Sequence, residues 1–265
     1  MKKLYCIILA IAFFSCKGKV KVPVKTADSS PVAIQAKPKA QAPPLNNDSL
    51  NLNGATWLAH TVYDTVANQP QTDDPADTIT RDDVSLKYYE DISGKYYVYV
   101  VENRGPMYGV STGWCDVFIF KRADGTWTLN DMRLKAGGGG MYGNPGTFEK
   151  LEKTGTECQA IVISGGQSHM GSNYNLTLIE LTKGKLGKTF GFSTRHDYGE
   201  GAGDDYKLTV CDENEYHFEQ VPGKAHYDLI LERFNCLGDP SVKTDSAIIP
   251  YKDGYKIPER FSFDE

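Results

Sequence analysis

Residues 96–102 read YYVYVVE and residues 116–121 read DVFIFK, and Asp124-Gly125 then stands in front of Trp127-Thr128-Leu129. Short runs of aromatic and β-branched side chains suit the pleated, half-buried surface of a strand. An Asp-Gly pair supplies the left-handed backbone that a two-residue hairpin turn requires. The stretch therefore reads as antiparallel strands. The same succession returns twice: in residues 158–164 (CQAIVIS), 175–181 (NLTLIEL) and 188–193 with Lys183-Gly184 at the turn, then in residues 216–220 (YHFEQ) and 228–234 (DLILERF).

Superposed on one another, these rounds align Val98 with Ala160, Val100 with Val162 and Gly109 with Gly171, all 62 residues apart, and Phe118 with Ile179 and Phe120 with Leu181 at 61. The third round is shorter, its Tyr227-Asp228-Leu229-Ile230-Leu231 paralleling Tyr174-Asn175-Leu176-Thr177-Leu178. A small meander cannot bury its apolar face alone, so such a period implies units that stack on one another. The expected fold is all-β, with antiparallel hairpins in about three repeated four-strand units, propeller-like or trefoil-like. A β-sandwich is the alternative. Residues 55–66 are expected to add a strand pair, and residues 246–263 a final hairpin around Asp253-Gly254, so that the terminal strands close the sheet edges.

Composition agrees with that class. The chain has 265 residues, 40% hydrophobic and 24% charged, with a net charge of −5. This fits one or two domains and excludes a polytopic membrane protein or a collagen-like fibre. Its 26 glycines and 16 tyrosines against five methionines describe a turn-rich β protein.

The N-terminus carries an address. Lys2 and Lys3 precede an apolar run over residues 4–14, too short to span a hydrocarbon layer about 30 Å thick but the length of a signal-peptide core. The run ends Phe13-Phe14-Ser15-Cys16, which resembles the lipobox of bacterial lipoproteins, with an aromatic residue where that motif usually has leucine. The resemblance implies cleavage after residue 15 and acylation of Cys16, which would anchor the protein in the cell envelope, at the periplasmic face or the outer membrane. Residues 17–50 hold six lysines, two aspartates, five prolines and no aromatic side chain, and read as a disordered tether. Residues 51–265 are then the folded repeat domain. With 21 basic and 32 acidic residues this part carries −11, which disfavours nucleic-acid binding.

Motifs for chemistry are sparse. The Gly137–Gly140 run lacks the Gly-Lys-Ser/Thr and the helix start of a phosphate loop, and reads as a long mobile loop. Gly166-Gln167-Ser168-His169-Met170 misses the nucleophile elbow by its last residue. The five histidines and the cysteines show no zinc spacing. In the loop 196–205, Asp197, Glu200, Asp204 and Asp205 supply carboxylates of the kind that hold Ca²⁺, without EF-hand spacing. No other cofactor is implied. Of the cysteines beyond Cys16, a bond between Cys211 and Cys236 is preferred over the other pairings, and no sequence neighbour offers a base to any thiol. Asp48-Ser49-Leu50, Asp64-Thr65-Val66, Asp77-Thr78-Ile79 and Asp245-Ser246-Ala247 resemble a short bacterial O-glycosylation acceptor.

The loops 104–114, 137–147 and 165–174 share a Gly, Met, Tyr and Asn composition, typical of adaptable contact surfaces. If the repeat holds, the first and third leave the same end of the fold. Met107, Tyr108, His169, Met170 and Tyr174 are the expected ligand-binding residues, and the expected role is a lipid-anchored module that binds a protein or glycan. Two rivals remain. One is an envelope hydrolase with a cleft formed by His196, Asp197 and Glu200; the other is a structural envelope component.

Overall fold

The computed structural model describes residues 42–66, 79–109, 111–168, 171–201 and 205–262. The expected signal, Cys16, most of the expected tether, and the residues His169, Met170 and Asp204 lie outside them. Residues 42–265 form one compact unit.

Among the described residues eleven antiparallel strands build two sheets. Strands β1 (Thr80–Asp91), β2 (Gly94–Arg104), β3 (Trp114–Ala123) and β4 (Thr126–Gly137) make a four-stranded sheet. Strands β5 (Thr147–Lys153), β6 (Gln159–Ser168), β7 (Gly171–Thr182), β8 (Lys185–Glu200), β9 (Lys207–Glu219), β10 (Asp228–Asn235) and β11 (Lys243–Ile249) make a seven-stranded one. Within each sheet every strand pairs with its sequence neighbour. The two expected hairpin turns are present, with positive φ at Asp124 and Gly125 and again at Lys183 and Gly184, the signature of a type I′ turn. Strands β1 and β5, with fewer apolar side chains in their runs, escaped the sequence pattern.

The repeat survives in the register. Val98 pairs with Ile119 and Val100 with Val117, while their equivalents Ala160 and Val162 pair with Glu180 and Leu178, the residues that the 61-residue offset requires. Packing follows the same logic. Val98, Val100, Val117 and Ile119 face Ile161, Ile163, Ile179 and Leu181 across a core shared by the two sheets. One face of the first unit thus packs on the opposite face of the second, as stacked repeats do. The third unit departs from this plan, because β8 pairs with β9 and merges it with the second into one sheet. The result is a curled half-barrel stacked on a smaller sheet, with the face-to-face core of a sandwich, and separate blades are not formed.

Both outer faces are covered by segments expected to be strands. Residues 55–66 belong instead to a helix, α1 (Leu52–Val66). Asn51 caps it by accepting from the Gly54 N–H (2.8 Å). Ala55, Leu58, Ala59 and Tyr63 recur at helical spacing and bury against Tyr99, Phe118, Phe120 and Trp127. Alternation in a twelve-residue run can conceal a 3.6-residue period, and the cap at Asn51 was the overlooked sign. Residues 250–262 likewise make no final hairpin. The Asp253-Gly254 turn exists, with positive φ at both residues, but beyond it the chain crosses the outer face of the larger sheet. There Tyr255 and Phe261 bury against Phe190, Phe192, Leu229 and Leu231, and the segment ends in a 3-10 turn over Glu259–Phe261. Pro250 and Pro258 remove the backbone donors a further strand would need.

Cys211 and Cys236 are disulfide-bonded. Cys211 lies in β9 and Cys236 follows β10, where the Cys236 N–H also donates to the Cys211 carbonyl (3.0 Å). Among the described residues no helix is long and apolar enough to cross a membrane.

Candidate functional site

An antiparallel meander sends alternate connections to the same end. Two of the three loops of shared composition are the β2–β3 and β4–β5 connections, whereas residues 165–168 and 171–174 of the third are paired ends of β6 and β7 rather than loop. The two loops and the end of β6 are knitted by backbone hydrogen bonds. The Gly105 N–H donates to the Gly143 carbonyl (2.9 Å), Gly113 to Asn144 (3.1 Å), Gly143 to Ser111 (3.0 Å) and Gly166 to Gly139 (2.7 Å). The expected mobile loop at 137–147 is therefore the centre of a knot.

Glycine makes this approach possible. At Gly143, with φ +72°, a Cβ would sit 2.2 Å from the Gly105 carbonyl oxygen, a distance no side chain tolerates. Below the knot, the buried Cys115 thiol contacts the Pro145 carbonyl (3.5 Å), and burial pushes that thiol up to about 12. It is a neutral packing group rather than a nucleophile. Ser111 ties down the first loop by donating its hydroxyl to the Tyr108 carbonyl (2.8 Å) and to that of Pro106.

Large side chains stand out of this tight base. Met107 is 77% exposed, Tyr108 49% and Tyr174 40%. Tyr142, which sequence reasoning passed over, is 47% exposed. It stands beside Gly109, where a Cβ would lie 3.7 Å from its ring. Tyr174 covers Gly166 in the same way. The composition of all three loops was the available signal for Tyr142, but its glycine-rich surroundings suggested mobility instead. No family model, no curated protein and no solved structure matches the chain.

The acidic loop is organised differently. Asp197 is buried and committed: it accepts from Arg195 Nε (2.6 Å) and from the Ser172 N–H (2.8 Å), while Arg195 also reaches Glu213 (2.7 Å). Burial alone would push the Asp197 carboxyl up, yet the Arg195 and Ser172 donors outweigh it and hold the group below its usual range. These bonds stitch β7, β8 and β9 together. Glu200 is exposed, and Asp205 lies just beyond the residues that are not described. Among the described residues no three His, Cys, Asp or Glu side chains gather as a metal would require. His196 and Asp197 are successive residues of β8, so they point to opposite faces and do not converge on one cleft. Ser168, at the end of β6, accepts from the Ser172 hydroxyl (3.4 Å).

The acceptor-like motifs that can be located include Ser49 and Ser246, both exposed. Asp48 and Asp245 beside them pair with Arg122 (2.8 Å) and Arg260 (2.7 Å).

Proposed function

We propose that the chain is a lipid-anchored envelope protein that binds a protein or glycan ligand through the knotted loops. The observation that carries this reading is the backbone lacing of the β2–β3 and β4–β5 loops to the end of β6 beneath exposed Met107, Tyr108, Tyr142 and Tyr174. Rigid aromatic side chains on a fixed base lose little conformational entropy on binding, and their flat apolar faces suit the face of a sugar ring or a peptide side chain. The anchor rests on the Phe13-Phe14-Ser15-Cys16 motif and the apolar run before it.

Two measurements test the proposal. Mass spectrometry of the mature N-terminus should find a diacyl or triacyl Cys16, whereas an unmodified thiol there contradicts the anchor. Capture from solubilised envelope, together with a glycan array, should yield a ligand retained by the wild type. A Tyr108→Ala, Tyr142→Ala, Tyr174→Ala triple variant should lose that ligand, and equal retention by the variant contradicts the binding face.

A further inference from the structure

At the other end of the strands the β1–β2 and β5–β6 turns border a cleft of about 360 Å³, lined by Glu90, Asp91, Lys153, Glu157 and Cys158 among others. Of the described cysteines, Cys211 and Cys236 share a disulfide and Cys115 is buried. Cys158 is free, half-buried and open to the cleft.

Although no residue near Cys158 in sequence supplies a base, the fold brings one from 68 residues away. His226 Nε2 lies 3.9 Å from the Cys158 sulfur. Both residues are held by a short backbone dock. The Thr156 N–H donates to the Ala225 carbonyl (2.9 Å), Tyr227 to Thr154 (2.9 Å) and Thr154 to Cys158 (3.0 Å), and Gly155 forms an isolated bridge with His226. A Cβ on Gly155 would come within 2.4 Å of the Ala225 carbonyl oxygen, so the dock depends on that glycine. The imidazole also stacks on Tyr251, with centroids 3.6 Å apart and planes at 4°.

The cleft has a charge preference as well. Glu90, Asp91 and Glu157 outnumber Lys153. Asp91 spends Oδ1 on Ser93, while its Oδ2 is buried without a hydrogen-bond partner.

We propose that Cys158, with His226 as its base, is a thiol–disulfide exchange site for small cationic disulfides. In the step, His226 takes the thiol proton and the Cys158 sulfur bonds to one sulfur of the disulfide. The S–S bond breaks, and the departing thiolate recovers the proton from His226. One thiol and one disulfide become a mixed disulfide on Cys158 and a free small thiol, so no further oxidant is needed.

The test incubates the full chain with cystamine, a dication, or with dithiodipropionate, a dianion, and maps adducts by peptide mass spectrometry over time. Cys158 should form a mixed disulfide roughly tenfold faster with cystamine than with the dianion, by charge steering, while Cys115 stays unmodified. His226→Gln should slow the Cys158 reaction about tenfold, since it removes the base that takes the thiol proton. Retention of the Cys211–Cys236 bond and of the circular dichroism spectrum would show that variant to be folded. Glu157→Gln, on the exposed loop, should reduce the preference for cystamine without touching the dock. An unreactive Cys158, an equal rate in folded His226→Gln, or a faster reaction with the dianion would overturn the proposal.

Discussion

Tyr63 donates its hydroxyl to Asp116 Oδ2 at 2.7 Å, joining the helix to a carboxylate that is 2% exposed. Asp116 also accepts from Asn103 Nδ2 (2.9 Å) and from the Lys135 N–H (2.7 Å). Burial and the neighbouring carboxylate push the Tyr63 hydroxyl far above its ordinary range, which keeps it a donor. A buried charge that loses one of three donors costs about 1–3 kcal/mol. Tyr63→Phe should lower unfolding free energy by that amount in urea titration. Tyr88→Phe, which removes an exposed bond to Glu90, should stay within about 0.5 kcal/mol of the wild type.

The Asp197 carboxylate makes the fold acid-sensitive. Its native titration lies below the usual range, and an unfolded aspartate titrates near about 3.9. The group therefore contributes stability above that pH, and the contribution is lost as pH falls through the native value. Asp197→Asn should be less stable than the wild type at neutral pH. The gap should narrow as the pH is lowered from about 5 to about 3, which thermal melts across that interval would record.

Two glycines with similar backbone angles separate conformational strain from close approach. Gly125 has φ +77° with nothing within 4 Å of an added Cβ, whereas at Gly143 that atom would meet the Gly105 and Pro106 carbonyl oxygens. Gly125→Ala should cost about 1 kcal/mol, the left-handed penalty alone. Gly143→Ala should cost more than twice that, because backbone on both sides must move. Melting curves of the two variants would give the comparison.

The strands were readable wherever one residue type dominated a face. Residues 96–102 and 116–121 became β2 and β3, and Asp124-Gly125 became their companion turn. The Cys211–Cys236 bond was also legible, because hairpin order placed those residues beside one another. The helix was missed because ATWLAHTVYDTV contains Thr and Val, which suit strands, and only tertiary burial of Ala55, Leu58, Ala59 and Tyr63 decides the outcome. At the candidate site, the shared composition of residues 104–114 and 137–147 was legible. The backbone bonds that join these two loops were not, since pairings between Gly105 and Gly143 leave no side-chain signature. Cys158 and His226, 68 residues apart in sequence, are brought together by the Gly155–His226 bridge, which no local pattern reveals.

The proposed binding role stands on the loops being one ordered surface before any ligand arrives. Amide hydrogen exchange of the full chain reads this directly at Gly105, Gly113, Gly143 and Gly166, whose N–H groups make the lacing bonds, and at Gly139, whose N–H donates to the Pro145 carbonyl within the β4–β5 loop. These five amides should exchange slowly, with protection approaching that of the β2 and β6 interior. Exchange at the rate of an open glycine loop would contradict a preformed face, and the assignment of Met107, Tyr108, Tyr142 and Tyr174 to it would fall.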